Sequence, residues 1–272
     1  MPGDPLAVTG LALVVLGLLF KLGAAPAHAW VPDVAEGAPV PAAAFLTTVP
    51  KVAAAVALYR LVEVAPDGAA PLRPLIAGVA AVTMTLGNLC ALGQDDLRRL
   101  IGWSSVSQTG YALMAVAVAG ALPALLSFVA VYAIANVAAL AVVAEFRGRT
   151  EIAAWRGLGR SHPLALAALA LAFLSFVGIP PLAGFLGKFA LFSATLEGGL
   201  WWLALLAVAN TVISLWYYLR VLGPAVLSHP VEEAATLGGS ARAALAVATA
   251  TLLALTALWA PLWPLLPTTL LP

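Results

Sequence analysis

The sequence predicts an all-α integral membrane protein of about eight transmembrane helices, one of them discontinuous. Three observations carry the prediction. Of the 272 residues, 63% are hydrophobic and only 9% charged, with a mean hydropathy of +1.03, a balance that no water-soluble core of this size requires. The apolar residues fall in repeated runs of the length, about 20 residues, that a helix needs to cross a bilayer. The longest run, Leu164 to Leu196, has 33 residues and would rise about 50 Å as one helix, against roughly 30 Å of hydrocarbon. Gly178, Pro180, Pro181 and Gly184 interrupt it, because prolines remove backbone donors and glycines loosen the turn. Lys188 follows the prolines closely, and a lone ionisable group beside a broken membrane helix marks an ion path.

In chain order, Leu6 to Gly23 is the first span and ends in Lys21. It lacks the basic flank and cleavage site of a secretory signal. The Pro- and Gly-rich stretch that follows, with His28, Trp30, Asp33 and Glu36, reads as an irregular or re-entrant connection. Ala42 to Val62 is the second span, with Pro50 and Lys51 near its middle, and Pro74 to Leu92 the third. Ile101 to Gly120 is the fourth. Its first turns, GWSSVSQTGY, are too polar for lipid, so that face is expected to look inward. Leu122 to Phe146 is the fifth span, with Tyr132 and Asn136 one turn apart on one face. A basic loop from Arg147 to His162 precedes the broken sixth span. Leu200 to Leu222 and Ala241 to Pro261 are the seventh and eighth. No linker or extramembrane stretch separates a second domain, so residues 1–272 read as one membrane bundle.

The cations are sorted by type. All three lysines, Lys21, Lys51 and Lys188, lie inside or at the margin of apolar runs, whereas all ten arginines lie in loops or near span ends. An ammonium in apolar surroundings can surrender its proton and a guanidinium cannot. The sorting therefore points to proton exchange. His28, Ser105, Tyr132 and Asn136 are candidates for ordering water between the lysines. The hydroxyl and amide groups also read as hydrogen-bond glue between helices, and His28 as an interfacial or capping residue. Alternating the spans puts most arginines on one side, which the positive-inside bias makes cytoplasmic, with both ends of the chain outside. A net charge of +1 without a basic patch excludes nucleic-acid binding. The single Cys90 excludes an internal disulfide and a four-thiolate metal or cluster site.

Three long runs carry a resemblance: FKLGAAPAHAWVPDVAEGAPVPAAAFLTTVPKVAA from Phe20, GNLCALGQDDLRRLIGWSSVSQTGYAL from Gly87 and GIPPLAGFLGKF from Gly178. They resemble the antiporter-like membrane subunits of respiratory complex I, and within that family the subunit N branch, whose second lysine likewise follows Thr-Val-Pro. The resemblance implies fourteen helices with two inverted repeats of five, each holding one broken helix. Residues 1–62 then look like the end of the first repeat, 74–222 the second repeat and 241–261 the C-terminal helix. Lys21 matches the family's lysine beside the first break, Lys51 the lysine of the next helix and Lys188 that of the second broken helix.

The implied function is proton translocation in the cell's inner (plasma) membrane. It is coupled to electron transfer from NADH through flavin and iron-sulfur clusters to quinone, all in partner subunits of the complex. This chain itself is expected to hold no cofactor. The family's glutamate partner for the first lysine would lie before Met1, so the chain is expected to be a fragment or to be completed by helices from elsewhere. Two rivals stand beside this reading: a subunit of a multi-subunit sodium/proton antiporter, and a truncated structural component of the membrane arm.

Overall fold

The structure, a computed structural model, describes residues 5–65, 71–146, 148–229 and 239–268. Arg147, the first residue of the expected basic loop, lies outside them. Among the described residues every regular element is helical.

Helix α1 (Pro5–Leu22) stops at Gly23, which takes φ +71°. A side chain is excluded there twice over, by that backbone conformation and because a Cβ would come within 2.3 Å of Val31 Cγ2. The following stretch is not wholly irregular, since Trp30–Gly37 forms a short helix, α2. Its Pro32 occupies the first turn, where no helical donor is lost. Its freed C-terminal carbonyls, Ala35 O and Ala38 O, accept from the guanidinium of Arg98.

The second expected span is also divided, into α3 (Val40–Leu46) and α4 (Val49–Val64). The cause is Pro50, which offers no N–H to Leu46 O four residues earlier. Side chains close the gap: Asn136 Nδ2 donates to Thr47 Oγ1 at 2.8 Å and Thr48 Oγ1 at 3.0 Å, and the Tyr132 hydroxyl donates to Thr47 O at 2.9 Å.

Helices α5 (Leu72–Leu92) and α6 (Leu97–Val116) form a tight antiparallel pair, and α7 (Leu122–Glu145) returns beside them. Asp96 caps α6 by accepting from Arg99 N at 2.8 Å. A 3-10 turn (Ile152–Trp155) and α8 (Leu158–Ser161) lead into α9 (Pro163–Val177) and α10 (Ala183–Glu197). The last described elements are α11 (Trp201–Leu227), α12 (Gly239–Ala257), α13 (Trp259–Leu262) and a 3-10 turn (Trp263–Leu265). The outlying α12 is tied to α7 by Arg242 Nε and the buried Glu145 Oε1, 2.7 Å apart.

Among the described residues six segments are long and apolar enough to cross a membrane: α1, α3 with α4, α5, α7, α11 and α12. Helix α9 is too short alone, and α6 is too polar. Yet α6 is the most enclosed element, buried continuously from Ser104 to Val116. The buried apolar residues form two clusters. On α6, one reaches Ile101 and the other starts at Tyr111. Between them lie Ser104, Ser105, Ser107, Gln108 and Thr109, all at most 4% exposed. The inward polar face expected from the sequence is thus a polar layer between two apolar halves.

Candidate functional site: two lysines at two helix breaks

Lys51 stands in the first turn of α4 and is 4% exposed. Its ammonium has three donors and three neutral acceptors within reach: Ser105 Oγ at 2.6 Å, Ser105 O at 2.9 Å and Thr109 Oγ1 at 3.1 Å. The Ser105 and Tyr132 hydroxyls are 2.6 Å apart, and Tyr132 in turn donates to Thr47 O. A consistent direction runs through this file: the Lys51 N–H donates to Ser105, the Ser105 O–H to Tyr132 and the Tyr132 O–H to a carbonyl freed by the α3–α4 break.

Thr109 joins Lys51 to the break after α1, because its Oγ1 lies 2.9 Å from Leu22 O. That carbonyl needs a partner for a reason legible in the sequence. Its helical donor would be the N–H of residue 26, and residue 26 is proline.

Lys188, 3% exposed in α10, is held in the same manner at the second break. Helix α9 ends on Gly178, at φ +87°. Pro180 and Pro181 deprive two consecutive carbonyls, Phe176 O and Val177 O, of their helical donors. Lys188 Nζ donates to Val177 O at 3.2 Å and Thr211 Oγ1 at 3.4 Å, and sits 3.9 Å from the centre of the Tyr111 ring. Gln108 Nε2 takes the other carbonyl, Phe176 O, at 3.2 Å. Lys188 is therefore seated at the C-terminal end of a half-helix, where the carbonyl dipoles favour a cation, whereas Lys51 reaches the C-terminal end of α1 only through Thr109. Helix α6 serves both, with Ser105 and Thr109 on Lys51 and Tyr111 under Lys188.

The other expected residues divide. Ser105, Tyr132 and Asn136 belong to the Lys51 surroundings. Lys21 does not join them: it is exposed on the last turn of α1, beside the exposed Phe20. His28 is half-buried against the Trp103 ring, with centroids 5.7 Å apart. Gly178, Pro180 and Pro181 make the break, but Gly184 is already helical, in the first turn of α10. A Cβ there would lie 1.9 Å from Ser175 O, so its lack of a side chain lets the two half-helices touch.

Several polar partners were not singled out from the sequence: Gln108, Thr109, Tyr111 and Thr211, with a separate buried group of Asn88, Asn210 and Tyr217. In that group Asn88 Nδ2 donates to Asn210 Oδ1 at 2.9 Å, and the Tyr217 hydroxyl donates to Asn88 Oδ1 at 2.9 Å. For Gln108 and Thr109 a signal was available, since they lie three and four residues after Ser105 on one helical face. Among the described residues no group of three or more His, Cys, Asp or Glu side chains could hold a metal ion.

Residues 1–214 match the family described as NADH:quinone oxidoreductase/Mrp antiporter, TM. NADH-quinone oxidoreductase subunit N 1 of Streptomyces griseus is 51% identical over 232 residues, covering 84% of this chain and 49% of that protein. Subunit N of a Mycobacterium species is 51% identical over 221 residues, covering 79% and 47%. The chain thus spans about half the length of these relatives. Among solved structures, a chain of respiratory complex I from Thermus thermophilus with bound aureothin superimposes with a TM-score of 0.85 at 37% identity, over 98% of this chain and 61% of that one. A chain of the Mrp complex from Dietzia sp. superimposes with a TM-score of 0.84 at 24% identity, over 98% and 59%, a likeness of fold. With its broken helices and buried lysines, the chain belongs to the NADH:quinone oxidoreductase/Mrp antiporter membrane family and resembles the subunit N members of it.

Proposed function

We propose that this chain is part of a proton-translocating membrane-arm subunit of NADH-quinone oxidoreductase, in which Lys51 and Lys188 carry protons in turn. The observation that supports this best is the seating of both lysines. Each is buried at a helix break and satisfied by hydroxyls, carbonyls or a ring face, with no carboxylate among its partners in the described residues. A charge held by neutral dipoles can leave without stranding a buried anion. When Lys51 releases a proton its amine keeps the lone pair and accepts from Ser105 or Thr109, whose hydroxyls rotate to donate. Lys188 can do the same with Thr211.

In this reading NADH, flavin, iron-sulfur clusters and quinone belong to partner subunits, and their electron transfer supplies the driving force. Residues 1–62 close a first repeat, 74–222 form a second of opposite orientation and 241–261 the C-terminal helix, with eight spans in all. The loop holding Arg149, Arg156 and Arg160 faces the cytoplasm. Lys21 completes the relay once a carboxylate from the part of the subunit not covered by this chain packs on α1. The relatives at 51% identity favour this reading over a sodium/proton antiporter, since both are named as subunit N.

Deleting the gene and assaying inside-out membrane vesicles tests the proposal. NADH-driven acidification of the vesicle lumen should be lost and should return when the gene is restored. Acidification that survives the deletion, with growth becoming sodium-sensitive instead, would establish the antiporter reading.

A further inference from the structure

Where α6 begins and α7 ends, the structure holds a cavity of about 890 Å³, large enough to enclose a small ligand. Its walls have two characters. Along α7 it is lined by Val137, Leu140 and Ala144, whose spacing of three and four residues makes one helical face. Helix α3 adds Val40 and Ala44 and α12 adds Ala244, and both helices pack on α7. Val137 lies about 14 Å along the axis from Phe146, which also lines the cavity. That depth is close to half of the roughly 30 Å of hydrocarbon in a bilayer. At the end where α7 stops, the wall is polar and carries Arg98, Arg149, Thr150 and Ser240. Two of the guanidinium nitrogens of Arg98 are fixed on Ala35 O and Ala38 O. Among the described residues its Nη1 has no hydrogen bond, and no carboxylate pairs with the group. Arg149 is 7% exposed and lies over the Phe146 ring, with Cζ 5.4 Å from the centre. None of the described residues that line the cavity is acidic, and Glu145, the one acid of α7, is engaged by Arg242.

We propose that this cavity binds an anionic phospholipid, with its phosphate on Arg98 and Arg149 and one acyl chain laid along Val137, Leu140 and Ala144. Two guanidiniums without a carboxylate make a positive end, and the planar fork of arginine matches phosphate oxygens. Arg98 is already oriented by the two carbonyls of α2, so it loses little freedom when the anion arrives. The Thr150 and Ser240 hydroxyls can donate to the remaining head-group oxygens. A free phosphate would occupy the arginine end and leave the apolar length uncovered. An apolar helix would cover that length and leave the arginines without an anion. An amphiphile one leaflet deep satisfies both ends, and basic pockets between membrane helices take anionic head groups for this reason.

The inference goes beyond the relay and does not depend on it, since no lysine is among the described residues that line the cavity. To test it, the assembled complex with the full-length subunit is placed in phosphatidylcholine nanodiscs. These contain a trace of phosphatidylglycerol with a diazirine on one acyl chain, or of phosphatidylcholine with the same chain. After irradiation, labelled residues are mapped by mass spectrometry and normalised to total label on the complex. The phosphatidylglycerol probe should label residues 137–144 of α7 about fivefold more than the phosphatidylcholine probe, the factor that one arginine near a membrane surface is worth on an anionic lipid. Arg98→Gln should remove that preference, and Arg98→Lys, which keeps the charge, should retain most of it. Excess inorganic phosphate should leave the labelling unchanged. Ala144→Phe fills the groove without touching either arginine and should lower the label on Val137 from both probes. It is read alone if the Arg98 variants do not assemble, and an undiminished label on Val137 then overturns the inference. Absence of label on this stretch from either probe overturns it too, because protein would be covering the groove. Equal labelling by the two probes, or a preference that survives Arg98→Gln, also overturns it and leaves an ordinary lipid-facing surface. Loss of the preference in excess phosphate would assign the arginine end to a free anion instead of a lipid.

Discussion

Lys188 occupies the place of a missing backbone donor: its ammonium lies 3.2 Å from Val177 O, the carbonyl that Pro181 leaves without a helical partner. The proline that breaks the helix and the lysine seated at the break are therefore one device. Thr109 does the equivalent work at the first break, where Pro26 frees Leu22 O and the hydroxyl passes that contact on to Lys51.

Thr109→Val keeps the volume and removes the hydroxyl. Leu22 O and one ammonium donor then lose a partner in a buried site, an expected cost of about 1–3 kcal/mol. Heat inactivation of the purified complex should occur at lower temperature than in the parent, and Thr109→Ser should restore most of the difference. Equal stability of the Val variant would mean that the contact across the first break contributes nothing.

Gly184→Ala forces a methyl group to within 1.9 Å of Ser175 O, which is backbone and must move. The expected cost is about 1–3 kcal/mol, read as less assembled complex. Gly10→Ala is the control, since nothing lies within 4 Å of its Cβ position. Equal yields from the two variants would contradict the close packing of α9 on α10.

Much of this arrangement was legible in the sequence because its causes are local. A run too long for the membrane, with two prolines inside it, announced the break between α9 and α10, and the polar start of the fourth span announced an inward face. The break at Thr47–Thr48 and the helix at Trp30–Gly37 were less visible. Pro50 stood in an otherwise good helical run, and Pro32 and Pro39 resemble loop residues until one sees that they fall at helix starts. Ser105, Tyr132 and Asn136 stood out as polar candidates, but which lysine each would meet was not visible. Lys51 meets Ser105 across 54 residues and Asn88 meets Asn210 across 122, and no periodicity encodes which polar faces meet at such separations. Lys21 illustrates the converse. The resemblance implied a role for it beside the first break, whereas the last turn of α1 leaves it exposed among the described residues, and it is Lys51, from another helix, that reaches that break through Thr109.

That exposure carries its own expectation. A lysine on an apolar helix face is expensive against lipid, and a carboxylate from a neighbouring segment is the usual relief. In a density map of the assembled complex a carboxylate oxygen should lie within about 4 Å of Lys21 Nζ, the range of an ion pair. Lipid tails against Lys21 would contradict its place in the relay.

Orientation is testable apart from mechanism. With Cys90 replaced, a single cysteine at Arg156 should react with an impermeant thiol reagent only from the cytoplasmic side. One at the exposed Gly120, in the turn between α6 and α7, should react only from outside. The reverse pattern would invert the arginine argument.

The claim that the buried lysines exchange protons, rather than merely anchor helices, is tested most directly at Lys188. Protons moved per electron should be measured in vesicles for Lys188→Ala and Lys188→Arg, each in the assembled complex. Arginine preserves the charge but does not release its proton. Both variants are therefore expected to lose pumping to a similar extent, about tenfold or more, as when a proton-transfer group is removed. Full pumping by the arginine variant would contradict the account, because a fixed charge at the break would then be sufficient.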